Sequence, residues 1–230
     1  MLLSVKKHMK TLSKEEQSAI TPAMAIELLK EGNKRFVNNL KLNRNLLQQA
    51  NETSDGQHPF AVILSCIDSR TSAELIFDQG LGDIFSIRIA GNILNEDILG
   101  SMEFACKAAG SKMIVVLGHS RCGAIKGACD QVKLGNLTAL LEKISWAVND
   151  EKSVNENRNS ENSEFVEKVA SINVKKAAQE IAQRSPVLKE MLDNGEIGIV
   201  GGMHDISTGL VTFYEDTIIL KTSAKSVSKV

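Results

Sequence analysis

The residues able to do chemistry fall in two short segments, Cys66-Ile67-Asp68-Ser69-Arg70 and Gly118-His119-Ser120-Arg121-Cys122-Gly123. Two thiols and one imidazole suit zinc, which favours a tetrahedral set of sulfur and nitrogen donors. Three protein ligands leave a fourth position open, the arrangement of a catalytic and not a structural site. The expectation is therefore Zn2+, one per subunit, held by Cys66, His119 and Cys122. A turn can face His119 and Cys122 toward one point, but Cys66 is remote in sequence and the fold must deliver it. Cys106 and Cys129 fall on apolar patterns and read as buried small hydrophobes, the usual fate of a free cysteine.

Each segment ends an apolar run, over residues 60–64 and 113–117, without the polar alternation of a half-exposed strand. Such runs suit strands covered on both faces in a parallel sheet. Between them lie helical spacing at 71–77, a turn at Gly80-Leu81-Gly82-Asp83 and a second strand over 84–89 closed by Ala90-Gly91-Asn92. A helix over 97–109 follows, with Gly110 as its cap. After Cys122 the pattern predicts helices over 124–129, 137–148, 165–185 and 186–192, a fourth strand over 197–202 and an antiparallel edge strand over 210–214. The polar stretch 149–163 reads as a surface turn or partly disordered loop. Upstream, Thr21 caps an amphipathic helix over 21–37 that begins with Pro22. Residues 38–55 are polar, with Leu46 and Leu47 as the adjacent apolar anchors of an arm packed on something else.

This order predicts an α/β fold: a four-stranded parallel sheet with an antiparallel fifth strand, flanking helices and an N-terminal helical arm. Ligands usually bind at the carboxyl ends of such strands, where both cysteine segments fall. A chain of 230 residues that is 43% hydrophobic supports one well-buried core. The expected division is an arm at 1–55, a zinc-binding core at 56–221 and a polar tail at 222–230 that is frayed. A net charge of −1 gives no bulk reason to expect nucleic acid or an anionic membrane as partner. Lys6, Lys7 and Lys10 read as a solvated face. No run approaches the ~20 apolar residues of a membrane span, and Met1-Leu2-Leu3 leads into polar residues instead of a signal-peptide core. A soluble, cytoplasmic protein is expected, and four cysteines are too sparse for a disulfide framework.

Cys66-Ile67-Asp68-Ser69-Arg70 and His119-Ser120-Arg121-Cys122, helped by Ala90-Gly91-Asn92 and Gly118, resemble the motifs of β-class carbonic anhydrases, closer to the plant-like subgroup. The resemblance runs from about Gly32 through Gly209. It implies a carbonate dehydratase: zinc-dependent, reversible hydration of carbon dioxide to bicarbonate and a proton. Asp68 would accept a hydrogen bond from the zinc-activated hydroxide, with Arg70 gripping its carboxylate through two parallel bonds. In the family the same aspartate can swing onto the metal and shut the site. Gln57 matches a substrate-binding glutamine, Phe85 and Ala90 match an apolar pocket wall, and the backbone N–H of Gly123 would face bicarbonate. Self-association as a homodimer or dimer-based tetramer is implied, with the arm embracing a second subunit and pocket walls shared.

Some positions depart from the family. A regulatory bicarbonate site made by Trp, Arg and Tyr has Ile63, Arg88 and His204 at its positions here, so that site is expected to be absent. Phe104 replaces a pocket tyrosine, which leaves the proton shuttle unassigned. His204 reads as a satisfied structural histidine, His58 and His8 are weaker candidates, and Ser69 and Ser120 read as turn hydrogen-bonders. Two rival readings keep the zinc site: hydrolysis of a related substrate such as carbon disulfide, and a non-catalytic zinc or bicarbonate-binding module with Asp68 locked on the metal.

Overall fold

The computed structural model describes residues 10–220, so Lys6, Lys7, His8 and the polar tail lie outside the described residues. Helix α1 (Lys14–Ala19) opens with a capping box in which Ser13 and Glu16 bond each other's backbone N–H. Helix α2 (Pro22–Val37) starts as its sequence predicts, with the Thr21 hydroxyl accepting from Met24 N. The polar stretch that follows contains α3 (Leu46–Glu52). Leu46 and Leu47 are exposed, while Gln49 is buried and its side chain accepts from Leu81 N. The arm is anchored by polar bonds: Arg35 and Arg44 both donate to the buried Asp78.

The core follows as β1 (Ala61–Ser65), α4 (Ala73–Ile76), β2 (Ile84–Arg88), α5 (Glu96–Glu103), β3 (Met113–His119) and α6 (Gly123–Cys129). Then come α7 (Gly135–Glu142), α8 (Ser145–Asp150), α9 (Ser163–Arg184), α10 (Pro186–Asp193), β4 (Gly198–His204) and β5 (Val211–Phe213). The strands order as β2-β1-β3-β4-β5, parallel throughout except for the antiparallel β4–β5 pair, which is the predicted α/β architecture. Both faces of the sheet are covered. Val62, Leu64, Ile114 and Val116 pack with α5, α9 and α10, while Ile63, Val115 and Leu117 pack with α2 and α4. That two-sided burial explains the uninterrupted apolar runs of β1 and β3.

Two elements differ from expectation for physical reasons, and a third is ordered by bonds the sequence does not announce. Strand β3 continues past Leu117 through His119 because Gly118 lets α9 come close: a Cβ there would lie 2.5 Å from Val174 Cγ2. Helix α5 passes into a π-helical turn at Phe104–Ala108 that presents Phe104 to solvent. Of the stretch read as a surface turn or loop, residues 149–150 end α8 and 163 begins α9, and 151–162 form a loop tied by the buried Glu151 carboxylate, which accepts from Ser153, Val154 and Arg158. The Arg158 guanidinium in turn sits 4.5 Å from the centre of the Phe165 ring. Among the described residues no helix is long and apolar enough to cross a membrane.

Candidate metal centre

Register explains how remote residues meet. Ser65, the last residue of β1, pairs with Leu117, so Cys66 emerges beside the end of β3, where His119 is the final strand residue. Cys122 is the N-cap of α6. Arg121 adopts a left-handed backbone with φ 56°, a conformation uncommon outside glycine that makes the turn between the two ligands tight. The ligand atoms of Cys66, His119 and Cys122 all lie within 4.8 Å of one another, and all three residues are buried. The two sulfurs are 3.9 Å apart.

The histidine tautomer follows from its neighbours. Nδ1 lies 2.9 Å from the Ser120 carbonyl, which can only accept, so Nδ1 carries the proton. Nε2 then holds a free lone pair, and it is buried with no hydrogen-bond partner among the described residues. An orphaned imidazole nitrogen beside two thiols is the donor set of a zinc ligand cluster, and the residues fit that ion. The thiols are also poised unequally. The hydrogen bond from Cys122 lowers the Cys66 pKa, opposed by burial and aided by His119 and the Gly91 N–H. Cys122 is raised, by Cys66 and then by burial. A divalent cation held there would favour both sulfurs as thiolates, because coordinated thiols ionise.

Asp68 stands at the rim of this cluster. Arg70 reaches it with a planar fork, Nε to Oδ1 at 2.9 Å and Nη2 to Oδ2 at 2.7 Å, and its backbone N–H adds a bond of 3.0 Å to Oδ1. This fork, working against partial burial, holds the Asp68 carboxyl well below the usual carboxylate range. Two residues that sequence reasoning gave no such role hold the loop itself. Arg88 donates from Nε to the Cys66 carbonyl at 3.1 Å and from Nη2 to the Asp68 carbonyl at 2.6 Å. Thr71 donates its hydroxyl to the same two carbonyls, at 3.2 and 2.9 Å. Backbone carbonyls leave no mark in a sequence, so neither role had a motif to announce it.

The family model described as carbonic anhydrase matches residues 61–211, from β1 to the first residue of β5. The chain belongs to the β-carbonic anhydrase family. Carbonic anhydrase 2 of Mycobacterium tuberculosis is 34% identical over 200 residues, covering 82% of this chain and 90% of that protein. A carbonic anhydrase of Mycolicibacterium smegmatis is 31% identical, covering 83% and 92%. Among solved structures, the β-carbonic anhydrase CcaA superposes with a TM-score of 0.66 at 28% identity, covering 86% of this chain and 100% of that one. A tetrameric β-carbonic anhydrase of Sordaria macrospora shares the fold, with a TM-score of 0.65 at 22% identity over 84% and 95%.

Within this β-carbonic anhydrase fold, the other residues singled out from sequence divide into two groups. Ala90 opens the short 3-10 turn whose Gly91 N–H points at Cys66 Sγ, and Gly123 begins α6 directly after Cys122. Gln57 and Phe85 are not brought to the centre of the same chain. Gln57 is exposed before β1, at the strand end opposite Cys66, and five residues at ~3.3 Å each put the two on the order of 15 Å apart. Phe85 lies up-strand of Arg88 on the edge strand β2, its ring 6.1 Å from that of Phe104. Ser120 Oγ accepts from Ile206 N at 3.0 Å, a turn bond. His204 pairs in register with His119 and is buried, yet neither ring nitrogen has a hydrogen-bond partner among the described residues. It is structural in position but not satisfied by the chain. Burial first, then the neighbouring His119, lower its pKa to about 4, which keeps it neutral near pH 7.

Proposed function

We propose that this protein is a zinc-dependent carbonate dehydratase, catalysing reversible hydration of carbon dioxide to bicarbonate and a proton. The observation that carries the reading is the buried Cys66–His119–Cys122 cluster, with its unpartnered Nε2, beside an aspartate locked by Arg70. Cys66 and Cys122 as thiolates and His119 through Nε2 would hold the ion. Zinc bound there supplies the Lewis acidity that makes a nucleophile of water near neutral pH.

The chain's own residues do the rest. Two thiolates cancel a divalent charge, so a nearby hydrogen-bond acceptor gains importance. Asp68 is that acceptor: Oδ2 takes a single bond from Arg70 and keeps a lone pair for the nucleophile's proton. Arg70 keeps the carboxylate ionised, so Asp68 orients the nucleophile and does not itself store the proton. Thr71 and Arg88 fix the backbone on which both Cys66 and Asp68 ride. Ala90 and the Gly123 N–H border the space for a small apolar substrate and its anionic product.

Gln57 and Phe85 serve a site only when a second copy of the chain supplies them, and we read the protein as a homodimer or a tetramer of dimers. Around the edge strand β2, Ile67, Leu75 and Phe104 are 58–61% exposed, an apolar surface that such a partner would cover. Of the described residues, 10–55 serve as the arm and 56–220 as the zinc-binding core of one domain. Four free cysteines suit a reducing compartment and a cytoplasmic location.

Stopped-flow carbon dioxide hydration with metal analysis tests the reading, on wild type and Asp68→Asn from mildly acidic to alkaline pH. Zinc at one per subunit, with hydration that Asp68→Asn lowers, is the expected result. Zinc-loaded wild type without hydration even at alkaline pH would refute it.

A further inference from the structure

Helix α9 packs across β3 and β4 and buries nine residues, of which eight are apolar or small and one, Asn173, is an amide. A buried amide costs free energy unless it is bonded. Asn173 is 3% exposed, and its Nδ2 donates to the Gly91 carbonyl at 2.9 Å, a bond between residues far apart in the chain. The same Gly91 gives its backbone N–H to Cys66 Sγ at 3.4 Å. Residue 91 has room for nothing but glycine: φ is +67°, and a Cβ would lie 2.6 Å from Ile144 Cδ1. Glycine is also the residue most free about φ and ψ, so a bond to its carbonyl helps fix the peptide that carries its N–H.

We propose that Asn173 is a positioning residue for the Cys66 ligand: by holding the Gly91 carbonyl it fixes the backbone on the far side of the Gly91 Cα, so that the N–H on the near side stays on the sulfur. The inference rests on the metal reading above. An N–H bonded to a thiolate draws electron density from sulfur, which weakens its donation to a metal and leaves the metal more electrophilic. It also fixes the direction of the lone pair that remains. In a site where two thiolates already cancel the ion's charge, one hydrogen bond of this kind restores part of the acidity that sulfur ligation removes. The elements involved are separate: Cys66 follows β1, Gly91 follows β2 and Asn173 lies on α9. Packing of α9 on the sheet is thereby linked to the electronics of the centre.

The test uses the intact chain loaded with cobalt(II), whose sulfur-to-metal charge-transfer band reports on the thiolates, and with zinc, whose release to a chelator is timed. Asn173→Ala and the similarly sized Asn173→Leu both remove the donor. In either folded variant the charge-transfer band moves to longer wavelength as sulfur donates more strongly, zinc leaves about tenfold faster because the lost positioning of Cys66 outweighs that stronger donation, and kcat falls about tenfold with KM little changed, the range usual for partners of metal ligands. Asn173→Gln, which keeps a donor, recovers part of each effect. A folded variant with an unchanged cobalt spectrum and unchanged zinc release overturns the proposal. Failure of both variants to fold assigns Asn173 to packing and overturns it as well. Wild type that takes up neither cobalt nor zinc refutes the metal reading itself, a distinct outcome.

Discussion

Asp68 and Asp78 lie on the same short stretch, and arginine grips both, yet the two pairs serve opposite ends. Asp78 is 3% exposed and saturated: Oδ1 accepts from Arg44 and Leu42 N, and Oδ2 from Arg35 and the same N–H. Its partners come from a segment more than thirty residues earlier, so the bonds tie the N-terminal arm to the core. Asp68 is 17% exposed, its partner is two residues away, and Oδ2 accepts only once. A carboxylate with every lone pair engaged can only hold structure. One with a lone pair left over, held rigid by a local fork, can meet a ligand.

The largest effect should come from breaking the saturated pair. Asp78→Ala leaves Arg35 and Arg44 facing each other without their counter-charge, and loss of one member of a buried ion pair costs about 3–5 kcal/mol. Denaturant unfolding should show that loss, while kcat per folded site stays within twofold of wild type. A stable, inactive Asp78→Ala would reverse the roles assigned to the two aspartates. Asp68→Asn should do the opposite. Its amide cannot accept the Arg70 fork on both atoms or orient a nucleophile by charge, so kcat should fall on the order of 10²-fold. Its unfolding midpoint should stay within about 1 kcal/mol of wild type, as for partly exposed pairs.

Between these extremes lies the loop that carries Asp68. Thr71→Val removes the hydroxyl from the Cys66 and Asp68 carbonyls while keeping the branched shape. Stability should fall by about 1 kcal/mol, and activity by about tenfold if the loop's position matters as the geometry indicates. Steady-state kinetics beside thermal unfolding separates the two. Activity that falls only as far as stability does would make Thr71 a packing residue.

What could be read from sequence, and what could not, divides along the same physical line. The runs ending at Leu64 and Leu117 announce buried strands because apolar burial is written in residue type, and two cysteines with a histidine announce a metal by their chemistry. Polar bonds between sequence-remote groups leave no such trace. Arg35 and Arg44 look like surface cations until Asp78 is placed between them, and Asn173 looks like a helix-surface amide until Gly91 arrives beside it. The arm's own anchor is equally silent in sequence: Gln49 is buried and accepts from Leu81 N, while Leu46 and Leu47 are exposed on the single chain. Gly118 looks like a turn that ends β3 at Leu117, but the close approach of Val174 and Met203 explains a glycine inside the strand.

A third arginine-held carboxylate gives the finest test of the comparison. Glu151 is buried like Asp78, but its partners Ser153, Val154 and Arg158 are local, as for Asp68. If saturation decides the role, Glu151 is purely structural. Burial pushes its pKa up, and the bonds from Ser153, Val154 and Arg158 outweigh that, bringing it from 4.5 to about 2. A carboxylate whose pKa is depressed on folding stabilises the fold above its unfolded value and loses that contribution as pH falls through the folded one. The metal-free wild type should therefore exceed Glu151→Gln in stability above pH 4.5, with the difference shrinking as pH falls toward 2. Unfolding curves for both proteins across that window measure it, and a difference that stays constant would mean the carboxylate does not anchor the loop. Hydration activity of the zinc-loaded variant should match wild type near neutral pH, because a carboxylate with all its lone pairs engaged in its own loop has none to offer a substrate.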